Sequence, residues 1–399
     1  MASARRVAHR VLVRVFEEGA YADRAFAAEA APLDSRDRAF AQRIAYGAIQ
    51  RVRTLDYALE TIGGRPTAEL DVPVRAALRL GAYELGFLDG VPARASVNEA
   101  VELVRAAGAG RATGLVNAIL RRTAEGIGGL LEGLPDGSPA GAALKHSYPD
   151  WIAETWWREW GQKDAIALMQ AQNEAPETAY RVVGTGATRV VDLIDPNAVA
   201  EGRVWPQSRG SQLAGAAVGA RAGERILDLC AAPGGKTTQL AETGAEVVAV
   251  ELHEARAREL EQSVRRLGLD NVTVVNADAR ELPAELTGFD RALVDAPCSG
   301  LGVLASRPDL RWRAQPLPEL QLQLLRVAAE RTKPGGSVTY SVCTIAKAEN
   351  EDLVDASGLD VEPLTEEWPE FAHPRRPEFL LTLPHKHGTS GFFIARIRP

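Results

Sequence analysis

Cysteine and methionine are scarce in this chain of 399 residues, which has three cysteines and two methionines. Three cysteines are too few for a disulfide scaffold, so we expect thiols in a reducing, cytoplasmic environment. No uninterrupted apolar run is long enough for a signal peptide or a membrane span, and we expect no membrane partner. The remaining composition, 46% hydrophobic and 25% charged, is globular, and the length favours two or three domains.

The chain also has no overall excess of positive charge, since its formal net charge is −7. Residues 1–53 nevertheless contain ten basic and six acidic side chains, a local balance of +4. A basic end could meet the phosphates of a nucleic acid, although ordinary surface composition explains the same counts. Charge alone therefore does not identify the partner.

The first part of the chain has the pattern of a series of helices. Apolar residues recur at helical spacing from Val7 to Phe16 and again around Ile44, and no β-pattern interrupts them. Three further helices are predicted, at 72–86, 96–105 and 114–122. The second of these would begin at a capping box formed by Ser96 and Glu99. The pattern predicts an all-α domain over residues 1–125.

Glycine and proline mark the next boundary. Residues 126–150 are rich in both and predict a flexible linker. We assign residues 151–215 to a small connecting subdomain that begins with a tryptophan-dense segment. Trp156 and Trp160 are four residues apart, and such a stripe is more typical of a packing face than of a base-stacking platform.

From Arg225 onward, apolar strands alternate with helices. The predicted strands are 226–229, 247–250, 272–275, 292–294 and 337–342, and the predicted helices are 237–242, 254–267 and 317–332. Residues 391–397 predict a last strand at an antiparallel edge. The fold class is therefore an all-α N-terminal domain followed by an α/β, doubly wound, Rossmann-like domain over 216–399. Ligands of such sheets bind beyond the carboxyl ends of the strands.

The turn after the first of these strands, LCAAPGGKT at 229–237, consists of small residues and paired glycines. These let the backbone approach a ligand at a helix N-terminus. A phosphate-loop motif would need glycine at position 230, where Cys230 stands, and the dinucleotide motif is absent as well. The candidates for a cofactor site here are Cys230, Ala231, Ala232, Pro233, Gly234, Gly235 and Lys236.

Acidic residues follow the next two strands. Glu251 lies at the spacing expected for a carboxylate that accepts hydrogen bonds from ribose hydroxyls. Asp278 is placed to accept a hydrogen bond from an adenine amino group. Each acid alone is unremarkable, but with the glycine turn they favour an adenosyl cofactor.

Two cysteines follow the later strands, Cys298 in DAPCSG and Cys343 in YSVCT. A thiolate that attacks carbon 6 of cytosine makes carbon 5 nucleophilic, so that carbon 5 can accept a methyl group. Asp295 could stabilise the protonated N3 of the activated base, and the second thiol could assist elimination. The alternative is a pair of buried structural cysteines. These residues do not show which thiol attacks, and for Cys230 we expect backbone contact with the cofactor.

These motifs resemble the Nop/Sun family of RNA cytosine-5 methyltransferases, in particular its bacterial ribosomal RNA branch of the RsmB/Sun type. The matching segments are LDLCAAPGGKT at 227–237, DAPCSGLG at 295–302, SRPDLRW at 306–312, YSVCT at 340–344 with Glu349-Asn350-Glu351 following, and PHKHGTSGFF at 384–393. The N-terminal helices, with SVNEAVEL at 96–103 and GLVNAILRR at 114–122, are similar to a NusB-type RNA-binding domain.

The resemblance implies S-adenosyl-L-methionine as the cofactor and RNA as the partner, either ribosomal RNA or an assembling small subunit, with no metal. It implies that Cys343 is the nucleophile and that Cys298 helps to release the adduct. The residues it places around the cofactor are 230–236, Glu251, Asp278 and Asp295.

The chain departs from the family pattern at three places. Val342 and Thr344 flank Cys343 where the family usually has threonine and serine, Gln207-Ser208 replaces Gln-Asp, and Arg181-Val182-Val183 replaces Arg-Val-Asn. The last two sites lie where RNA is expected to approach.

Two other functions are compatible with parts of the pattern. A non-catalytic RNA-binding or assembly factor would need a decayed site, and the intact Cys298, Cys343, Asp295 and glycine turn argue against decay. A small-molecule methyltransferase would not need the N-terminal helical domain. Methylation of an adenine amino group is disfavoured, because Asp-Ala-Pro-Cys lacks the aromatic ring that stacks on the base.

Overall fold

The structure is a computed structural model that describes residues 3–399. The chain divides into two compact units. The helical unit comprises the chain up to Glu174 together with Leu304–Arg313, and the sheet unit comprises Ala175–Val303 and Ala314–Pro399. The prediction of one subdomain over 151–215 is therefore wrong, because the two sides of Glu174 belong to different units.

The helical unit is built from amphipathic helices. They are α1 (Ala4–Glu17), α2 (Ala22–Glu29), α3 (Ser35–Gln50), α4 (Val52–Gly63), α5 (Val72–Phe87), α6 (Ala93–Ala106), α7 (Thr113–Glu132), α8 (Pro139–His146) and α9 (Asp150–Ala171). In α1 the spacing of Val7, Val11 and Leu12 buries all three on one face. The Ser3 hydroxyl caps this helix by accepting the backbone N–H of Arg6. The all-α prediction for this region is confirmed.

Two local predictions in this unit are wrong. Residues 126–150 are largely helical, since α7 continues to Glu132 and α8 follows. Burial of Ile127 in the core outweighs the low helix propensity of the surrounding glycines. Ser96 lies inside α6 and its hydroxyl donates to Glu84 Oε2 at 2.8 Å, so it does not cap the helix.

The tryptophan-dense segment lies on α9. Trp156 is fully buried, and its ring centroid is 5.3 Å from that of Tyr148. The interpretation of this residue as a packing residue is confirmed.

The segment Leu304–Arg313 completes the helical unit through one buried guanidinium. Arg311 is fully buried and donates to the backbone oxygens of Gln50 (3.0 Å), Ser147 (3.1 Å) and Gln172 (3.2 Å). Its guanidinium also lies 4.2 Å from the ring centroid of Tyr148. The SRPDLRW motif therefore has a structural role within the helical unit.

The sheet unit begins with a small antiparallel sheet. Its elements are β1 (Ala179–Val182), β2 (Thr188–Val190), α10 (Pro196–Ala200), β3 (Val204–Pro206) and α11 (Arg209–Ala216), with strand order β2-β1-β3. Arg181 is buried, forms an ion pair with Glu242 and donates to Gln207 Oε1 at 3.3 Å. Gln207 is also buried. Arg181 and Gln207 therefore bond to each other inside the unit, and the approach of RNA to these two segments stays a prediction.

The main sheet follows. The strands and connecting helices of this sheet are, in chain order, β4 (Arg225–Leu229), α12 (Gly235–Ala241), β5 (Glu246–Glu251), α13 (Glu254–Arg266), β6 (Val272–Asn276), β7 (Phe289–Asp295), α15 (Pro318–Arg331), β8 (Thr332–Val342), α16 (Glu351–Ser357), β9 (Asp360–Glu362), β10 (Leu380–Leu381), α17 (Pro384–His387) and β11 (Phe393–Arg398). The short helix α14 (Leu310–Arg313) follows β7 in the chain but belongs to the helical unit. The strand order is β10-β11-β8-β7-β4-β5-β6, and β9 also pairs with β11.

The strands β4 to β8 are parallel, which confirms the doubly wound prediction. The predicted C-terminal strand is antiparallel, but it lies inside the sheet, because β9 and β10 pair with β11 on the side away from β8. Chain order reverses between β4 and β7, and ligands of such sheets bind in the crevice at this switch point. No helix within residues 3–399 is long and apolar enough to span a membrane.

Candidate active site

The turn after β4 is tightly packed. Cys230 has a left-handed conformation (φ 65°), and Gly234, which precedes α12, has φ 108°. A Cβ atom at Gly234 would lie 2.6 Å from Cδ1 of Leu260, and one at Gly235 would lie 2.9 Å from Nε1 of Trp205. Packing therefore explains the paired glycines without a phosphate ligand.

Asp228 is a buried carboxyl group within β4 that the sequence reasoning missed. The Thr237 hydroxyl donates to its Oδ2 at 2.6 Å. Burial raises the pKa of Asp228 to about 7. The available signal was an acidic residue between two leucines of an otherwise apolar strand.

The two predicted cofactor acids differ in their surroundings. Glu251 is buried at the end of β5, where Oε1 accepts the backbone N–H of His253 (3.0 Å) and Oε2 lies 3.6 Å from Arg256 Nη1. Asp278 follows β6 and binds Arg280 at 2.6 Å, and this hydrogen bond lowers the pKa of Asp278 to about 2. Both acids are at strand ends, as predicted.

Asp295 ends β7 and is held by two side chains. Its Oδ2 lies 2.7 Å from Lys236 Nζ, and its Oδ1 accepts the Ser341 hydroxyl at 2.8 Å. The Lys236 ammonium also lies 4.9 Å from the ring centroid of Phe392. The glycine turn, the end of β7 and β8 therefore meet at one carboxylate.

The thiols of Cys298 and Cys343 are in contact. Their sulfur atoms are 3.4 Å apart, and both residues are partly exposed. The hydrogen bond to Cys343, together with burial and the negative charge of Glu349, raises the pKa of Cys298 well above its ordinary value. Either sulfur can donate the hydrogen bond that joins the two thiols.

Cys230 is electrostatically unlike a reactive thiol. Burial raises its pKa to about 12, and the nearby carboxylates of Asp295, Asp228 and Glu251 act in the same direction. A thiolate is the reactive form of cysteine, so this side chain is chemically inert at neutral pH.

Glu349 is a second buried acid that the sequence reasoning did not assign to the site. Its carboxylate accepts the backbone N–H of Ser299 at 3.0 Å, and it also accepts the Ser299 hydroxyl. The Gln321 amide donates to it at 2.8 Å. The signal in the sequence was the Glu-Asn-Glu triplet shortly after Cys343, which had no function attached to it.

Two motif glycines bring their backbones together beside Cys343. The N–H of Gly302 donates to the Cys343 carbonyl at 3.0 Å, and the N–H of Gly391 donates to the Gly302 carbonyl at 2.8 Å. A Cβ atom at Gly302 would lie 2.1 Å from the Gly391 oxygen. The DAPCSGLG and PHKHGTSGFF motifs are thus joined at the site.

The structure therefore brings together Lys236, Asp295, Cys298 and Cys343, whereas Asp278 is occupied by Arg280 at the end of a more distant strand. Within residues 3–399, no group of three or more His, Cys, Asp or Glu side chains is arranged to hold a metal ion.

This arrangement agrees with comparisons to known proteins. The 16S rRNA methyltransferase RsmB/F family matches residues 216–398, and the NusB family matches residues 2–125. The probable ribosomal RNA small subunit methyltransferase B of Synechocystis is 33% identical, with all of both chains covered. The chain belongs to the RsmB/F methyltransferase family. Ribosomal RNA small subunit methyltransferase B of Thermus thermophilus is 35% identical, with 92% of this chain and 90% of that protein covered.

Solved structures share the fold of this RsmB/F family member. The crystal structure of PH0851 has a TM-score of 0.81 at 23% identity and covers 100% of this chain and 99% of that one. A methyltransferase homologue from Pyrococcus horikoshii has a TM-score of 0.56 at 27% identity and covers 66% and 99%. The N-terminal helical region and the mixed α/β methyltransferase domain are thus both established.

Proposed function

We propose that this protein transfers a methyl group from S-adenosyl-L-methionine to carbon 5 of a cytosine in small-subunit ribosomal RNA. The observation that carries the proposal is the contact between Cys298 and Cys343 beside Asp295. The relatives from Synechocystis and Thermus thermophilus, which are named as ribosomal RNA small subunit methyltransferases, support the choice of RNA. The NusB-type match supports the helical unit as an RNA-binding part.

The residues around the turn fit an adenosyl cofactor. Ribose hydroxyls are hydrogen-bond donors, and Glu251 offers a buried carboxylate at the end of β5. Leu252 is exposed beside it and offers an apolar surface to the adenine ring, a feature that the sequence reasoning missed. A carboxylate has about four acceptor sites, so Asp278 would accept a hydrogen bond from the adenine amino group beside its bonds to Arg280, and the backbone of 230–236 would line the remainder. The bound cofactor supplies an electrophilic methyl group.

Cys343 is the proposed nucleophile. Its thiolate donates an electron pair to carbon 6 of cytosine, and the carbon 5–carbon 6 π electrons become available at carbon 5 for methylation. The choice of Cys343 over Cys298 rests on the resemblance to the Nop/Sun family, and a protonated Cys298 in contact with it can donate its S–H to the Cys343 thiolate.

Asp295 is the proposed partner of the base. Its carboxylate can accept a hydrogen bond from the protonated N3 that forms when carbon 6 is attacked. Lys236 and Ser341 hold this carboxylate by one oxygen each, which fixes its orientation before the base arrives. Preorganised groups of this kind stabilise developing charge without reorganisation.

Release reverses the attack. A water molecule takes the carbon 5 proton, whose bonding electron pair restores the carbon 5–carbon 6 double bond, and the carbon 6–sulfur bond breaks with its electrons on Cys343. N3 then returns its proton to water. The Cys298 S–H then stabilises the departing thiolate, which gives the second thiol a role in release.

Bisulfite sequencing of ribosomal RNA tests this function. A deletion strain should lose the signal at one small-subunit cytosine, and the wild-type gene but not Cys343→Ala should restore it. No change at any ribosomal cytosine would contradict the proposal. Failure of the purified protein to bind S-adenosyl-L-methionine in calorimetry would favour a binding module, and turnover of nucleosides not linked into RNA would favour a small-molecule enzyme.

A further inference from the structure

Glu349 is a fully buried carboxylate that lies between the two thiol-bearing segments. Within residues 3–399 it forms no ion pair with a basic side chain. Its oxygens are instead satisfied by neutral donors, including the backbone N–H of Leu317 at 3.1 Å. Burying a charge without an ion-pair partner costs free energy unless hydrogen bonds satisfy it. The hydrogen bonds of Glu349 therefore indicate that its buried carboxylate has a role.

The hydrogen bonds of Glu349 bracket Cys298. On one side, Glu349 accepts the N–H and hydroxyl of Ser299. On the other side, the Gln321 amide bonds to both the Glu349 carboxylate (2.8 Å) and the Pro297 carbonyl (2.9 Å). Both neighbours of Cys298 are therefore tied to the same carboxylate, directly or through one side chain.

A hydroxyl chain extends from Glu349 to the residue after Cys343. An ionised carboxylate only accepts hydrogen bonds, so the Ser299 hydroxyl must donate to Glu349. The Ser299 oxygen then accepts from the Thr344 hydroxyl, which lies 2.8 Å away. Thr344 replaces the serine usual in the family, yet it retains the hydroxyl on which this link depends.

Resting on the function proposed above, we infer that Glu349 is a positioning residue that holds Cys298 and Cys343 in contact by tethering the residue that follows each thiol. Its charge has a second effect. The titratable groups around Cys298 are Cys343, Glu349 and Tyr340, and the first two disfavour ionisation of Cys298. The charge of Glu349 therefore makes ionisation of Cys298 less favourable.

The charge is tested by the pH dependence of alkylation in the full-length protein. Cys298 is labelled with iodoacetamide over a range of pH and quantified by peptide mass spectrometry. The midpoint is the pH at which the labelling rate is half its maximum, and it is measured for the wild type, Glu349→Gln and Glu351→Gln. The matched control, Glu351, is equally buried but lies against His373 and Arg375. We expect Glu349→Gln to lower the midpoint by about one pH unit and Glu351→Gln to leave it unchanged. Equal midpoints in all three proteins would overturn the role of the charge.

The tether is tested by the rate at which diamide, which removes two electrons and two protons, joins Cys298 to Cys343 in a disulfide. Glu349→Asp keeps the charge but shortens the side chain, and we expect about tenfold slower closure because the sulfur contact is lost. Glu351→Asp should close at the wild-type rate. Unchanged closure in Glu349→Asp would overturn the tether. If that variant does not fold, Ser299→Ala removes the hydroxyl link instead, and we expect the same slower disulfide closure.

Both thiol measurements use neither RNA nor cofactor. They therefore succeed or fail independently of the proposed methylation, which is measured separately by the loss of methyl transfer in Cys343→Ala.

Discussion

The sulfur atoms of Cys298 and Cys343 are 3.4 Å apart although 45 residues separate them in the chain. They meet because β7 and β8 are adjacent parallel strands and each thiol follows a carboxyl end. In the proposed mechanism this contact gives the two thiols different roles, one as a protonated donor and one as a nucleophile.

The third cysteine should be dispensable. At a pKa of about 12, Cys230 is not a thiolate at neutral pH, so Cys230→Ala should retain methyl transfer within about threefold. Transfer of a radiolabelled methyl group to ribosomal RNA measures this, with Cys343→Ala as the inactive reference. A loss as complete as that of the reference would show that Cys230 takes part in the chemistry.

Asp228 should make stability depend on pH. Its pKa is raised from 3.8 to about 7 by burial, so its neutral form stabilises the fold below pH 4 and this contribution is lost as the pH rises to 7. Asp228→Asn should therefore raise the unfolding free energy at pH 8 by as much as about 4 kcal/mol and have little effect at pH 4.

Thermal unfolding at both pH values checks this prediction. Asp290→Asn is the control, and its effect should have the opposite pH dependence. The hydrogen bond to Lys333 lowers the pKa of Asp290, so the ionised Asp290 stabilises the wild type and this stabilisation is lost as the pH falls. Equal effects of Asp228→Asn at both pH values would be inconsistent with a raised pKa.

Arg311 should be essential to the stability of the helical unit. Truncation to alanine would leave buried acceptors at Gln50, Ser147 and Gln172 without donors, and we expect a loss of about 3–5 kcal/mol. Chemical denaturation measures the loss. Arg326→Ala, on an exposed part of α15, should stay within about 0.5 kcal/mol of wild type, and similar losses in both variants would contradict the assignment.

Gly302→Ala should disable the site. The added Cβ would lie 2.1 Å from the backbone oxygen of Gly391, so the loop that bonds the Cys343 carbonyl must shift. We expect a fall in methyl transfer of about a hundredfold, as is typical when reacting groups move by an ångström. Gly128→Ala, on an open face of α7, should instead stabilise the protein by about 0.5–1 kcal/mol. Normal activity in Gly302→Ala would show that the loop tolerates displacement.

Much of the sheet unit is predictable because local patterns determine it. Parallel strands have short apolar runs, and the residues that follow them, such as Glu251, Asp295 and Cys343, necessarily gather at one sheet edge. The same reasoning does not distinguish the two thiols, since both follow the carboxyl ends of adjacent strands.

The remaining features depend on tertiary contacts. Glu349 acquires its partners Ser299 and Gln321, and Ser299 acquires its contact with Thr344, only when separate segments fold together. No local sequence pattern predicts that Leu304–Arg313 belongs to the helical unit. The glycine-rich start of 126–150 predicts a linker, but the structure has a helix there. Burial of Ile127 stabilises this helix, and burial depends on tertiary packing.

The most direct test of the central claim is a denaturing gel of each cysteine variant incubated with ribosomal RNA and S-adenosyl-L-methionine. We predict that Cys298→Ala accumulates a covalent RNA–protein adduct, because attack by Cys343 proceeds while release is slowed. We predict that Cys343→Ala and the double variant form none. An adduct in Cys343→Ala that is absent from Cys298→Ala would reverse the roles of the two thiols and contradict the account.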